Sequence, residues 1–217
     1  MKKIISLMLA FVMCFSGTIG TFAANEKELN TADIMQLAEE YGVNCDVITE
    51  YQRNNTISVS REELISLFRY ISTADEKVYD MGEVVIEDEN PVRAGGIQTA
   101  SKSFKEWVPG MYPSWILGAL GAINAYRYVD VTYDYRYVNG VRHFVDYREV
   151  TSNLTGIALM LGWDQVVGYA NFTTTNRYND TMRVIVKGYT YFGIQCQGIN
   201  LSIQFPRETW TYKWRLA

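Results

Sequence analysis

The sequence predicts a mainly β protein, an antiparallel β-sandwich or small barrel preceded by a short α-helical segment. Three observations carry that prediction. Residues 101–217 contain seven or eight short runs rich in Tyr, Val, Thr and Ile, bounded by Asn, Gly, Asp and Pro. No helical pattern separates these runs, so a parallel sheet with helical crossovers is not expected. Residues 25–81, in contrast, space their apolar residues as helices do.

The first 24 residues read as a secretory signal peptide. Lys2 and Lys3 precede an apolar run from Ile4 to about Phe15, and small residues lead to Thr21-Phe22-Ala23-Ala24. Cleavage is expected after Ala23 or Ala24. The apolar run is too short for a membrane anchor. Cys14 follows Phe11-Val12-Met13, which lacks the small residue a lipoprotein signal places before its cysteine. The expected location is therefore extracellular.

Residues 25–81 read as an acidic helical leader or prosegment. A first helix opens at Thr31-Ala32-Asp33, buries Ile34, Leu37, Ala38 and Tyr41, and stops at Gly42. Residues 45–51 suggest another short turn. A second helix begins at a capping box, with Ser60 as N-cap and Glu63 at N3, and buries Leu64, Ile65, Leu67, Phe68 and Ile71. Residues 82–103 read as a linker, since Glu87-Asp88-Glu89-Asn90-Pro91 breaks helices and Arg93-Ala94-Gly95-Gly96 is a protease-accessible pattern. Arg93 is the expected processing site.

Residues 104–217 read as the β-sandwich domain, with strands expected at 126–138, 141–151, 154–161, 166–175, 181–187, 189–196, 199–205 and 209–214. Charge divides the chain at the same place. Residues 25–100 carry 16 acids and 6 bases, and residues 101–217 carry 8 acids and 12 bases. Opposite charges favour association of the two parts. All five tryptophans also lie in the second part.

The stretch "YRYVDVTYDYRYVNGVRHFVDYRE", residues 126–149, is a hairpin around Asn139-Gly140. A straight two-residue loop would set Asp130 against Glu149. A three-residue loop, Val138-Asn139-Gly140, pairs Tyr137 with Val141 and Asp130 with Arg148, and is the preferred register. It gathers Val129, Val131, Tyr133, Tyr135 and Tyr137 with Val141, His143, Val145 and Tyr147 on one face.

Chemistry is constrained by what is scarce. His143 is the sole histidine, which removes mechanisms needing two. No nucleophile elbow, zinc-protease motif or phosphate loop is present. Asp130, Asp134, Asp146, Glu149 and Asp164 are acids available for a two-carboxylate mechanism. No catalytic residue, metal site or cofactor is assigned, and "NRYND" from Asn176 reads as a plain turn. Cys45 and Cys196 survive signal cleavage, and an exported chain can oxidise them to one disulfide; the alternative is two separately buried thiols.

The binding candidates are Arg136, Arg142 and Arg148 on the hairpin, with Trp210, Tyr212 and Trp214, which share one face of "TWTYKW". That aromatic face either closes the core or forms an exposed platform. These features suggest a secreted non-enzymatic binding domain for cell-envelope polymers or glycans, with an acidic helical leader that covers it, or helps it fold, until it is cut near Arg93. Nucleic acid is not an expected partner, because the basic half has no basic run. Alternatives are a membrane-active bacteriocin or toxin, from the amphipathic hairpin, and an extracellular carbohydrate-acting enzyme or inhibitor.

The segments "YVNGVRHFVDYREVTSNLTG" and "MRVIVKGYTYFGI" resemble small exported, aromatic-rich β proteins of Gram-positive bacteria, over about residues 101–217. The resemblance implies export and an aromatic-rich strand domain, and it supplies no site residue.

Overall fold

In the computed structural model, residues 29–48, 57–86, 96–107, 124–157, 161–174 and 179–216 are described. Ala23, Ala24 and Arg93, with the cleavage expectations attached to them, lie outside these residues. The chain is mainly β, with two packed sheets that do not close into a barrel.

The elements run α1 (Thr31–Glu40), β1 (Cys45–Val47), β2 (Ile57–Val59), α2 (Arg61–Thr73), β3 (Lys77–Ile86), β4 (Ile97–Trp107), β5 (Asn124–Val138), β6 (Val141–Ile157), β7 (Leu161–Thr174), β8 (Asn179–Cys196), β9 (Ile199–Gln204) and β10 (Glu208–Leu216). One sheet has seven strands in the order β1-β9-β8-β10-β3, with β2 and β7 also pairing to β8. The other has three, in the order β4-β5-β6.

Both helices among the described residues are fixed at their starts by local side chains. Asn30 Oδ1 accepts from the Asp33 amide at 3.0 Å, and Asp33 Oδ2 accepts from the Asn30 amide at 3.3 Å. Ser60 and Glu63 form the same reciprocal box before α2, as the sequence predicts. Gly42, at φ +65°, lets the chain leave α1. The Gly42 amide then reaches Glu39 O and the Val43 amide reaches Ala38 O, the paired bonds of a Schellman turn.

Strand β8 organises the interior. Its even-numbered side chains Met182, Val184, Val186, Thr190, Phe192, Ile194 and Cys196 are all buried. The first three face the three-stranded sheet, in a core with Val129, Val131, Tyr133, Phe144, Trp210, Tyr212 and Trp214. The last three face the helices, in a second core with Ile34, Leu64, Leu67, Phe68, Leu201 and Ile203. One sheet is thus roofed partly by strands and partly by helices.

This arrangement corrects the expected division of the chain. The described residues of the 25–81 segment are built into the same sheet: β1 pairs with β9, β2 with β8 and β3 with β10, and the segment supplies nine of the 15 buried residues of one core. Residues 45–47, expected as a turn, are the strand β1. The 82–103 linker is also replaced at both ends, by β3 through Ile86 and by β4 from Ile97. The opposite charges of the two parts do meet, as Arg207–Glu76 at 2.6 Å and Arg215–Glu83 at 3.2 Å. These are exposed pairs, and such pairs contribute little; the shared cores hold the parts together.

The hairpin differs from the preferred register. Val138 pairs with Val141 across a two-residue Asn139-Gly140 turn, with φ of 53° and 79°. Positive φ at both positions is the type I′ geometry that matches strand twist. The expected opposition of Asp130 and Glu149 is avoided by extra residues in β6 at two register shifts, between Thr132 and Tyr133 and between Asp134 and Tyr135, although Asp134 then faces Asp146. Asp130 therefore meets Thr151, while Val131 meets Val150. Two extra residues in β6 restore the inward phase, so Phe144 and Val150 both reach the core. His143, expected beside Tyr135 on the apolar face, is buried opposite Arg136 instead. Replacing Gly140 by alanine should cost about 1–2 kcal/mol through backbone strain. Nothing lies within 4 Å of the added Cβ, so the shift in the urea midpoint would report the backbone term alone.

Candidate functional site

Two polar constellations stand out, one inside the sandwich and one on its outer face. The inner one centres on Arg127, which points from β5 towards β10. Its Nη2 donates to Glu208 Oε2 at 2.9 Å, and both side chains are almost fully buried. Glu208 also accepts from Thr190 Oγ1 at 3.0 Å and Trp210 Nε1 at 3.0 Å. The guanidinium lies 4.3 Å from the Trp210 ring centroid and 4.6 Å from that of Tyr79. Trp163 stacks on the far side of the node, 4.0 Å from Trp210. Gly188 leaves room for it, since an added Cβ would meet Trp163 at 2.5 Å. Burial pushes the Tyr79 phenol up to about 12, with Glu208 adding to the effect. Burial likewise raises the carboxyl of Glu106, the β4 neighbour of Arg127. This node is enclosed and joins the sheets; its role is structural.

The outer constellation is exposed. Alternate residues of β4, namely Thr99, Ser101, Ser103 and Lys105, point away from the core, because Ala100 and Phe104 point into it. Register sets them against Asp134, Thr132, Asp130 and Tyr128 of β5. Each of the first three pairs is hydrogen-bonded through side chains. Thr99 Oγ1 donates to Asp134 Oδ1 at 2.7 Å, Ser101 Oγ and Thr132 Oγ1 are 2.9 Å apart, and Ser103 Oγ donates to Asp130 Oδ1. At the next step Lys105 Nζ lies 4.0 Å from the Tyr126 ring centroid and 5.5 Å from that of Tyr128. On the other side, Arg148 Nε donates to Asp134 Oδ1 at 2.9 Å. The Thr99 and Arg148 bonds hold the Asp134 carboxyl below its usual range. Thr151 and Asn153 of β6, opposite Asp130 and Tyr128, extend the face.

The sequence-predicted site residues are dispersed. Trp210, Tyr212 and Trp214 share a face, as their spacing requires, but that face is fully buried and cannot be a binding platform. It is the centre of the sandwich core: Phe104 packs 5.0 Å from Tyr212 and 5.6 Å from Trp214. Arg142 is buried too, donating to Ile86 O at 2.9 Å. Arg148 is neutralised by Asp134, and Arg136 is exposed near the turn. The three arginines therefore form no common cationic patch.

Cys45 and Cys196 are both free and buried. The disulfide expectation fails on geometry. Cys45 lies opposite Ile203 and Cys196 opposite Ile199, with β9 between them. Two strand spacings alone amount to about 9.5 Å, beyond the roughly 7 Å limit for a bridge. Burial pushes the Cys45 thiol up to about 12 and raises that of Cys196, which suits packing rather than nucleophilic chemistry.

Reading the sequence missed Thr99, Ser101 and Ser103, because their segment was assigned to a linker, and Lys105, because no strand was expected before residue 126. The signal was there: Thr, Ser, Ser and Lys at alternate positions in "IQTASKSFKEW". No family model, curated protein or solved structure matches this chain.

Proposed function

We propose that this chain is a secreted, non-enzymatic binding protein that holds an extracellular glycan or cell-envelope polymer on the outer face of its three-stranded sheet. The observation that carries the reading is the aligned series of cross-strand side-chain bonds, Thr99–Asp134, Ser101–Thr132 and Ser103–Asp130, on exposed backbone ladders. These groups are held in place before any ligand arrives, so little side-chain freedom remains to be lost on binding. Their carboxylate and hydroxyl oxygens still have lone pairs to offer. Tyr126 and Tyr128, half-buried and ordered by Lys105, add rigid amphipathic contact area.

The alternatives fit less well. Membrane insertion by the hairpin would need Val129, Val131, Tyr133 and Phe144, which are packed in the sandwich core. For carbohydrate cleavage, Asp134, which faces Asp146, is a poor general acid, because hydrogen bonds from Thr99 and Arg148 depress its pKa.

Retention of the mature protein on purified cell walls tests the proposal. Asp130→Ala combined with Tyr128→Ala should lower retention at least tenfold, since a lost hydrogen bond to a charged group alone is worth about 1.5–3 kcal/mol. Arg136→Ala should leave it within a factor of two. Equal retention of the double variant, with an unchanged thermal midpoint, would remove this face from consideration.

A further inference from the structure

Resting on that reading, we infer that the ligand is a linear, uncharged polysaccharide lying along β4 and β5, held at several consecutive sugar units rather than at one end. Two features of the face carry this. The first is repetition. Comparable groups recur at every second residue from Thr99 to Lys105, each already bonded or packed to its β5 partner. The six residue steps of extended strand from Thr99 to Lys105 span about 20 Å, several times the width of one sugar. A face that repeats along one direction is matched by a ligand that repeats along one direction.

The second feature is the local settlement of charge. Asp134 has Arg148 and Thr99, and Asp130 has Ser103. Lys105 lies over two tyrosine rings. Arg136 and Arg148 are the exposed guanidinium groups of the hairpin, set against the acids Asp130, Asp134, Asp146 and Glu149. An anionic polymer would find no cationic surplus here. A neutral sugar chain would find carboxylate oxygens that accept from its hydroxyls, and Ser, Thr, Tyr and Asn groups that both donate and accept. Weak contacts of this kind gain affinity by number, because each added unit binds with the first already tethered.

The test is isothermal titration of the mature protein with β-1,4-linked gluco- and N-acetylglucosamine oligosaccharides, from disaccharide to hexasaccharide. Affinity should rise with each added unit until the face is filled, then level off. It should change less than twofold between low salt and half-molar salt, because no counterions are displaced. Thr99→Val, at the far end from the tyrosines, should lower hexasaccharide affinity towards that of a shorter oligomer. Binding that is equal for disaccharide and hexasaccharide would overturn the linear reading while leaving a glycan site. Retention on walls that vanishes in salt, with no oligosaccharide bound, would overturn the neutral reading. Retention on neither walls nor oligosaccharides would overturn the binding function beneath both.

Discussion

Glu208→Gln is expected to destabilise the protein by about 3–5 kcal/mol, the range for removing one partner of a buried ion pair. The amide can still accept from Thr190 or Trp210, which bond Glu208 in the native protein. It cannot balance the Arg127 charge, whose side chain is held at 3% exposure between two aromatic rings. The penalty is a large share of the roughly 5–15 kcal/mol that stabilises a typical domain. Glu106 faces Arg127 across the β4–β5 ladder, and burial already raises its carboxyl pKa. Its ionised form becomes the nearest remaining counter-charge, so E106Q with E208Q should cost more than the two single changes added. Replacing both partners, as in R127M with E208L, should recover much of the loss, because no charge is then stranded. Urea midpoints at constant slope measure all of these. A single E208Q midpoint within 1 kcal/mol of the parent would mean that solvent reaches the node and that the pair does not join the sheets as described.

How much of this was legible follows from the range of each interaction. The Ser60–Glu63 box spans three residues and could be read directly, as could the face shared by Trp210, Tyr212 and Trp214. The Asn139-Gly140 turn was legible as a turn. Its register was not, because two register shifts in β6 depend on what the sheet packs against. Strand β3 was hidden by its own irregularity: Gly82, at φ +80°, interrupts the alternation where β3 carries an extra residue against β10. Strand β4 was hidden by polarity, since its outward Thr, Ser and Lys residues look like linker composition until Ala100 and Phe104 are seen to point inward. The outer face could not be found without β4, because Asp130 and Asp134 alone look like charges that keep a strand soluble. Charge asymmetry misled for a related reason. It reports the surface of each part, whereas the join between the parts is made by apolar side chains such as Phe68 and Phe192.

That join gives the second large effect. A chain beginning at Lys77, without α1, β1, β2 and α2, is expected not to fold. It would expose Phe192, Ile194, Cys196, Leu201 and Ile203, all at 0% exposure in the intact protein. At about 1.5–3 kcal/mol for each large apolar side chain returned to water, the loss is on the order of 10 kcal/mol, comparable to the whole stability of a domain. The two edges uncovered beside β8 and β9 would also invite aggregation. Dye binding to exposed apolar surface and loss of near-ultraviolet circular dichroism would report this state, and a soluble fragment with cooperative unfolding would contradict it. Cutting the intact protein after Arg93 should have the opposite result. Both pieces would remain paired through β3 with β10, β1 with β9 and β2 with β8, and would co-elute on gel filtration until denaturant separated them. The contrast between the two experiments distinguishes a prosegment that leaves from a segment that is part of the sheet.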